Sequence, residues 1–126
     1  MRYLGLDLGK KRTGVAFADS TDDIIFSLDT IVRKTEEELV EHVKTLISER
    51  SIEELVIGLP LLPSGERGSQ ADWAQSLIDK LQAIGTPISL IDERYTTGKL
   101  TEVDQDAAAA CKILSIKLDQ NADIDS

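Results

Sequence analysis

One aspartate near the start of the chain is the residue best placed to do chemistry. Asp7 stands inside the apolar stretch over residues 4–9, which reads LGLDLG. A carboxylate in such surroundings is costly unless it is paired with a charge or bound to a cation. Gly5 and Gly9 have no side chains, so a ligand could approach the backbone on either side of Asp7. The alternative interpretation is an aspartate that caps the turn after a strand.

A short basic turn follows this aspartate. Lys10, Lys11 and Arg12 stand together in a chain with 14 basic and 23 acidic residues and a net charge of −9. A local reversal of charge beside a carboxylate predicts contacts to phosphate groups, as nucleic-acid-binding proteins make them. The alternative is a solvated hairpin turn.

The same segment excludes two common phosphate sites. Gly9 and Gly14 have the spacing of the outer glycines of a P-loop, but Val15 and Ala16 occupy the Lys and Ser/Thr positions. Without that lysine the loop cannot reach the phosphates, which excludes a P-loop. No G-x-G-x-x-G motif follows the first apolar stretch, which excludes the dinucleotide fingerprint.

Further carboxylates stand at the end of a later apolar stretch. Asp92 and Glu93 follow it and precede Arg94. Adjacent strand residues face opposite sides of a sheet, so only one of the two carboxylates can share a site with Asp7.

Two more aspartates precede the last predicted helix. Asp104 and Asp106 could simply be carboxylates favoured by the positive end of the helix dipole. Either could instead supply a third carboxylate next to Asp7.

The elements that must position these residues follow from apolar periodicity and turn signals. Strands are predicted over residues 3–8, 13–18, 24–32, 55–58 and 87–91, and helices over residues 35–50, 70–84 and 105–118. Three consecutive strands joined by turns indicate an antiparallel meander, and the later alternation of strands and helices indicates parallel pairing. We therefore expect an α/β fold with a mixed five-stranded sheet flanked by helices. In such sheets ligands gather at the carboxyl ends of the strands.

Length and composition limit the organisation and the location. The 126 residues suggest one domain over residues 1–118, followed by an acidic, frayed tail over residues 119–126. A single cysteine and a single histidine exclude a disulfide framework and a zinc site built from these residue types. No apolar run approaches about 18 residues, and the start has no signal-peptide pattern. We therefore expect a cytoplasmic protein with no membrane partner.

Four blocks in order resemble the YqgF/RuvX family of RNase H-like proteins. The opening block over residues 4–16 resembles the family's first motif, and VIGLP at 56–60 with Gly65 and Gly68 resembles its central loop. DERYTT at 92–97 resembles its Asp-Glu-Arg motif, and DAAAA at 106–110 resembles the start of its last helix. The resemblance covers nearly the whole chain.

The resemblance implies a metal-dependent nuclease with an RNase H-like fold. The family's acidic triad falls on Asp7, Glu93 and Asp106, with Asp104 as a neighbour that could replace Asp106. Converging carboxylates repel one another, and a divalent cation removes that conflict. Ligands that are all oxygen favour Mg²⁺ or Mn²⁺ over zinc. Two such ions about 3.5–4 Å apart would activate a water and stabilise the leaving oxygen.

The resemblance also implies the substrate. The expected reaction is hydrolysis of phosphodiester bonds in structured RNA or branched DNA, foremost at the 5′ end of pre-16S rRNA in ribosome biogenesis. Lys10, Lys11, Arg12 and Arg94 are the expected nucleic-acid contacts. The expected oligomeric state is a monomer or a homodimer.

Three alternatives stay open. One is resolution of Holliday junctions in DNA recombination and repair. Another is a non-catalytic nucleic-acid-binding module, because residues 95–105 contain one basic residue, Lys99, where the family usually has a longer basic insert. The last is a phosphate-binding relative of the sugar kinase and actin group, whose Asp-x-Gly start resembles residues 7–9. Those proteins need two such domains.

Overall fold

A five-stranded sheet with helices on both faces forms the body of the protein. The computed structural model describes residues 1–9, 11–21, 24–59, 69–92 and 110–118. The elements in chain order are β1 (Arg2–Leu8), β2 (Arg12–Asp19), β3 (Ile24–Val32), α1 (Glu36–Arg50), β4 (Glu54–Leu59), α2 (Ser69–Gln82) and β5 (Ile88–Asp92). A last helix, α3, covers residues 110–118.

The sheet has the mixed topology that the sequence predicts. The strand order is β3-β2-β1-β4-β5. β1 pairs antiparallel with β2, and β2 pairs antiparallel with β3. β1 and β4 are parallel, as are β4 and β5. The predicted α/β class, the meander and the two parallel strands are therefore confirmed, and β1 lies at the centre.

The sheet separates two apolar cores. Leu4, Leu6 and Leu8 of β1 belong to one core, together with residues of α1 and α2 such as Leu39 and Leu77. The second core contains buried residues of β1, β2, β4 and β5 and the α3 residues that cover them, namely Tyr3, Ala16, Ala18, Val56, Ile91, Ala110, Ile113 and Leu114. Because β1 is covered on both faces, it reads as a nearly continuous apolar stretch.

Local capping explains where α1 begins and ends. Thr35 precedes the helix, and its hydroxyl accepts a hydrogen bond from the Glu38 backbone N–H at 3.2 Å. The Glu38 carboxylate accepts from the backbone N–H of Lys34 at 3.1 Å. A capping box would have it accept from Thr35 instead. Ser51 ends the helix in the left-handed conformation, with φ of 54°.

α2 ends two residues earlier than predicted. Ile84 and Gly85 donate backbone hydrogen bonds to Leu81 and Gln82, at 3.1 Å each. These bonds span three residues, so the last turn tightens and the regular helix ends at Gln82. Gly85 has φ of 98°, the left-handed conformation expected after a helix.

Two expectations lie partly outside the described residues. The predicted last helix is observed over residues 110–118, and its first residues, 105–109, are not described. The predicted tail over residues 119–126 is also outside the described part, so the domain limits stay a prediction. Within the described ranges, no helix is both long and apolar enough to cross a bilayer.

Candidate active site

Asp7 lies near the carboxyl end of the central strand, on the face that α3 covers. Side chains alternate along a strand, and Leu6 and Leu8 belong to the core on the α1 and α2 face. Tyr3 belongs to the core on the α3 face, so Asp7 shares that face. Its side chain is half-buried. The structure thus places the predicted carboxylate where ligands gather in sheets of this type.

Glycines occupy the position next to Asp7 on both neighbouring strands. Asp7 pairs with Gly14 of β2 and with Gly58 of β4. Side chains at directly opposite positions usually lie about 4.5–5.5 Å apart, measured between Cβ atoms. Because neither partner has a side chain, no Cβ atom of β2 or β4 stands directly beside Asp7 in the sheet. This row of Gly14, Asp7 and Gly58 could not be predicted from the sequence, because only the strand register reveals it.

The same row continues into β5 and shows which β5 positions share the face of Asp7. Gly58 pairs with Ile91, which belongs to the core on the α3 face. Ser89 also lies on that face, where its hydroxyl accepts a hydrogen bond from Lys117 of α3 at 3.1 Å. Ile88 packs on the opposite core. The odd-numbered positions of β5 therefore face the same side as Asp7.

α3 packs very closely on β1 beside the candidate site. A Cβ atom on Gly5 would lie 2.6 Å from the Leu114 Cγ and 3.0 Å from the Ala110 carbonyl oxygen. Further along α3, the Lys117 ammonium forms a 3.2 Å ion pair with Glu54 at the start of β4. α3 therefore runs from near Asp7 towards the amino ends of the parallel strands.

The turn after β1 carries two of the predicted basic residues. Lys11 and Arg12 are both exposed. A Cβ atom on Gly9 would collide with the Arg12 carbonyl oxygen, so this tight turn requires glycine. The structure therefore places two cations in solvent, a few residues along the chain from Asp7.

A buried arginine that the sequence analysis missed holds this turn. Arg33 follows β3 and is 8% exposed. Its guanidinium donates a 2.7 Å hydrogen bond to the Gly9 carbonyl oxygen. Burial lowers the pKa of this guanidinium, and the nearby Glu36 opposes that shift. The sequence did not indicate a role for Arg33, because a charged residue often follows a strand at a protein surface.

The other predicted site residues lie outside the described residues: Lys10, Glu93, Arg94, Asp104 and Asp106. Among the residues that the structure describes, no three His, Cys, Asp or Glu side chains come together as a metal site would require. Asp7 is therefore the described member of the predicted acidic cluster. Its carboxylate oxygens are of the kind that hard divalent cations prefer.

Comparison with known proteins points to one family. Residues 1–122 match the model of the family described as "RuvX: Holliday junction resolvase". A protein of Thermosynechococcus vestitus named "Putative pre-16S rRNA nuclease" is 39% identical over 101 residues, which cover 79% of this chain and 67% of that protein. A protein of the same name from Halothermothrix orenii is 39% identical over 98 residues, covering 77% and 70%.

The fold is also similar to that of a solved nucleic-acid-bound structure. "T. thermophilus RuvC in complex with Holliday junction substrate" matches with a TM-score of 0.63 at 14% sequence identity, covering 90% of this chain and 89% of that chain. At this level of identity the similarity concerns the fold alone, and it agrees with the predicted RNase H-like architecture.

Proposed function

The chain belongs to the RuvX family, and on this premise we propose that it is a nuclease that hydrolyses phosphodiester bonds in structured nucleic acid. The 5′ end of pre-16S rRNA is the proposed substrate, because the matched relatives are named for that RNA. The observation that carries the proposal is the placement of Asp7 between two glycine positions at the carboxyl end of the central strand.

The register supports Glu93 over Asp92 as the second carboxylate. Ser89 and Ile91 lie on the face of Asp7. If the two-residue repeat of β5 continues by one residue beyond Asp92, position 93 falls on this face as well. Glu93 is therefore the residue that we assign to the cluster.

The direction of α3 supports Asp106 as the third carboxylate. The helix packs on Gly5 near its start and pairs with Glu54 near its end. The chain therefore enters α3 from the carboxyl ends of the parallel strands, where Asp7 lies. Asp106 stands four positions before Ala110 in the sequence. Asp104 is two residues further away along the chain, which makes it the weaker candidate.

The proposed ligands Asp7, Glu93 and Asp106 would hold Mg²⁺ or Mn²⁺, since oxygen ligands favour these ions. When bound, such an ion would neutralise the carboxylates, activate water and stabilise the charge on the leaving oxygen. Asp7 contributes a fixed carboxylate on a central strand. Such rigid placement is what a precise catalytic geometry requires.

The basic turn would bind the substrate backbone. Lys11 and Arg12 are exposed and follow Asp7 closely in the chain. Phosphate contacts from such residues fix the position of a nucleic acid without reading its sequence. Lys10 and Arg94 are proposed as further contacts of the same kind.

Holliday junction resolution is the second candidate function. The family description names it. A four-way DNA junction and a pre-16S rRNA fragment spanning the 5′ cleavage region should therefore be compared as substrates.

Cleavage assays with these two substrates test the proposal. Purified protein with Mg²⁺ or Mn²⁺ should cleave the RNA at a discrete position, and EDTA should abolish cleavage. Asp7→Asn should abolish cleavage with an unchanged circular dichroism spectrum. Asp29→Asn is the matched control, because Asp29 is an exposed aspartate on the edge strand β3, and it should keep full activity. Full activity of Asp7→Asn would contradict the proposed site, and cleavage of the junction alone would favour the second function.

A further inference from the structure

Arg33 contacts both sides of the turn that follows β1. Its guanidinium donates to the Gly9 carbonyl oxygen at 2.7 Å. Its backbone N–H donates to the Lys11 carbonyl oxygen at 3.0 Å. Arg33, which directly follows β3, is therefore hydrogen-bonded to the residues on both sides of position 10. Such a double attachment restricts the turn more than either hydrogen bond alone.

The arginine is kept in this place although its surroundings penalise a charge. Arg33 is buried, and burial lowers the pKa of its guanidinium. Its Nε atom finds no hydrogen-bond partner in the described part of the chain. Burying a charged group with an unsatisfied donor is unfavourable unless its remaining contacts are strong. In return its side chain forms a charge-assisted bond to the Gly9 carbonyl, and the nearby Glu36 carboxylate favours its charge.

The turn that Arg33 binds follows the candidate carboxylate in the chain and carries the exposed cations. Gly9 is two residues after Asp7, and Lys11 and Arg12 are two and three residues after Gly9. A side chain at position 9 would collide with the Arg12 carbonyl oxygen, so the two sides of the turn lie close together. A shift of the Gly9 carbonyl would therefore move the basic residues relative to Asp7.

We propose that Arg33 is a positioning residue, which fixes the turn so that Lys11 and Arg12 present their cations to the phosphates of a bound nucleic acid. Arg33 itself is buried and does not contact the substrate. The nucleic-acid ligand in this inference rests on the proposed nuclease function. The effect of Arg33 on the order of the turn does not depend on that function.

Kinetics of matched variants test the positioning role. Arg33→Met keeps much of the side-chain volume and removes both the charge and the hydrogen bond. It should raise KM for the RNA by about 10- to 100-fold, with kcat much less affected, because substrate binding is lost. Arg33→Lys should restore part of the affinity, since an ammonium can still donate to the Gly9 carbonyl. Arg50→Met removes the same charge at the end of α1, next to Phe17, and should leave KM unchanged.

The salt dependence of binding separates positioning from simple destabilisation. At a temperature where all variants are folded, Arg33→Met should flatten the log–log dependence of RNA affinity on salt, because fewer phosphate contacts form. Arg50→Met should keep the wild-type slope. A folded Arg33→Met variant with wild-type KM and wild-type slope would overturn the inference.

Backbone hydrogen exchange tests the same role without any activity. The amide protons of residues 9, 11 and 12 should exchange faster in Arg33→Met than in the wild type, while those of β4 should not change. If the wild type cleaves neither substrate, the proposed function fails, and the salt slopes of RNA binding together with this exchange result still test the inference. Unchanged exchange in the turn would overturn it.

Discussion

Asp7 has glycines as its direct neighbours on both adjacent strands. Gly14 and Gly58 flank it in the sheet. The sequence analysis recognised the aspartate and the glycines around it in the chain. It could not identify the cross-strand glycines, because a shift of one residue in register would replace both. The single residue was predictable, and its surroundings were not.

A methyl group added next to Asp7 should impair metal binding. Gly58→Ala places a Cβ atom beside the Asp7 side chain on the same face of the sheet. We expect Mn²⁺ affinity, measured by isothermal titration, to fall by about 10- to 100-fold, as for changes next to a ligand. Val56→Ile adds one carbon on the same strand and face, at the level of Gly5. It should leave the Mn²⁺ affinity unchanged, and equal losses in both variants would contradict this account.

Local sequence signals predicted the helices and strands, but they could not predict how these elements pack on one another. Thr35 caps the start of α1 and Gly85 follows the end of α2, and both residue types favour these positions. The close contact between Gly5 and α3 was not predicted. It depends on which helix covers which face, and no local pattern contains that information.

The packing of α3 on β1 predicts a large cost for a small substitution. A Cβ atom on Gly5 meets the Leu114 side chain and the Ala110 carbonyl. Because a backbone atom is involved, the helix itself must move, so Gly5→Ala should lower the free energy of unfolding by about 1–3 kcal/mol. Urea denaturation measures this. In a Leu114→Ala background the cost should shrink, since one of the two contacts is gone. An equal cost in both backgrounds would show that Leu114 is not the obstacle.

An ion pair between α1 and α2 predicts a pH-dependent stability difference. Lys80 contacts Glu37 at 3.1 Å and Glu36 at 3.7 Å. The pKa of Glu37 is lowered from its usual value of 4.5. The larger cause is a hydrogen bond from the backbone N–H of Glu37 itself, and the next is the hydrogen bond from Lys80. The hydrogen bond to Glu37 raises the pKa of Lys80 from 10.5.

These shifts determine the sign of the effect. A lowered carboxyl pKa contributes stability above about pH 4.5, and that stability disappears as the pH falls through the folded-state pKa. A raised lysine pKa contributes stability below about 10.5, which disappears as the pH rises through the folded-state pKa. Lys80→Met should therefore lower Tm slightly at pH 7 and much less at pH 3. Lys44→Met, which removes a pair within α1, is the control. A difference that persists at pH 3 would rule out the ion pair as its cause.

For the molecule as a whole, we expect the net negative charge to weaken binding to nucleic acid. The net charge is −9, and the predicted contacts are restricted to Lys10, Lys11, Arg12, Arg94 and, further along, Lys99. The family and the mixed sheet were both predictable from the sequence, because four motif blocks in order specify them. The strength of binding was not, because it depends on where the charges lie in space.

Weak binding should show in its salt dependence. If two to four of these residues neutralise phosphates, the log–log salt slope for duplex DNA should be about −2 to −4. Lys10→Ala with Lys11→Ala should flatten it without affecting the fold, since Lys11 is exposed and substitutions of surface residues usually change stability little. Fluorescence anisotropy over a salt series measures both slopes. A slope near −8, or one that the double variant leaves unchanged, would place the binding surface elsewhere.

Anomalous scattering from crystals soaked in Mn²⁺ will show whether Asp7 belongs to a cation-binding carboxylate cluster. We expect one or two manganese peaks in contact with carboxylate oxygens of Asp7, Glu93 and Asp106, and no peak at this place in Asp7→Asn crystals. Manganese bound by Asp92 in place of Glu93 would contradict the assignment of the second ligand. No manganese at Asp7 in saturated wild-type crystals would contradict the cluster itself.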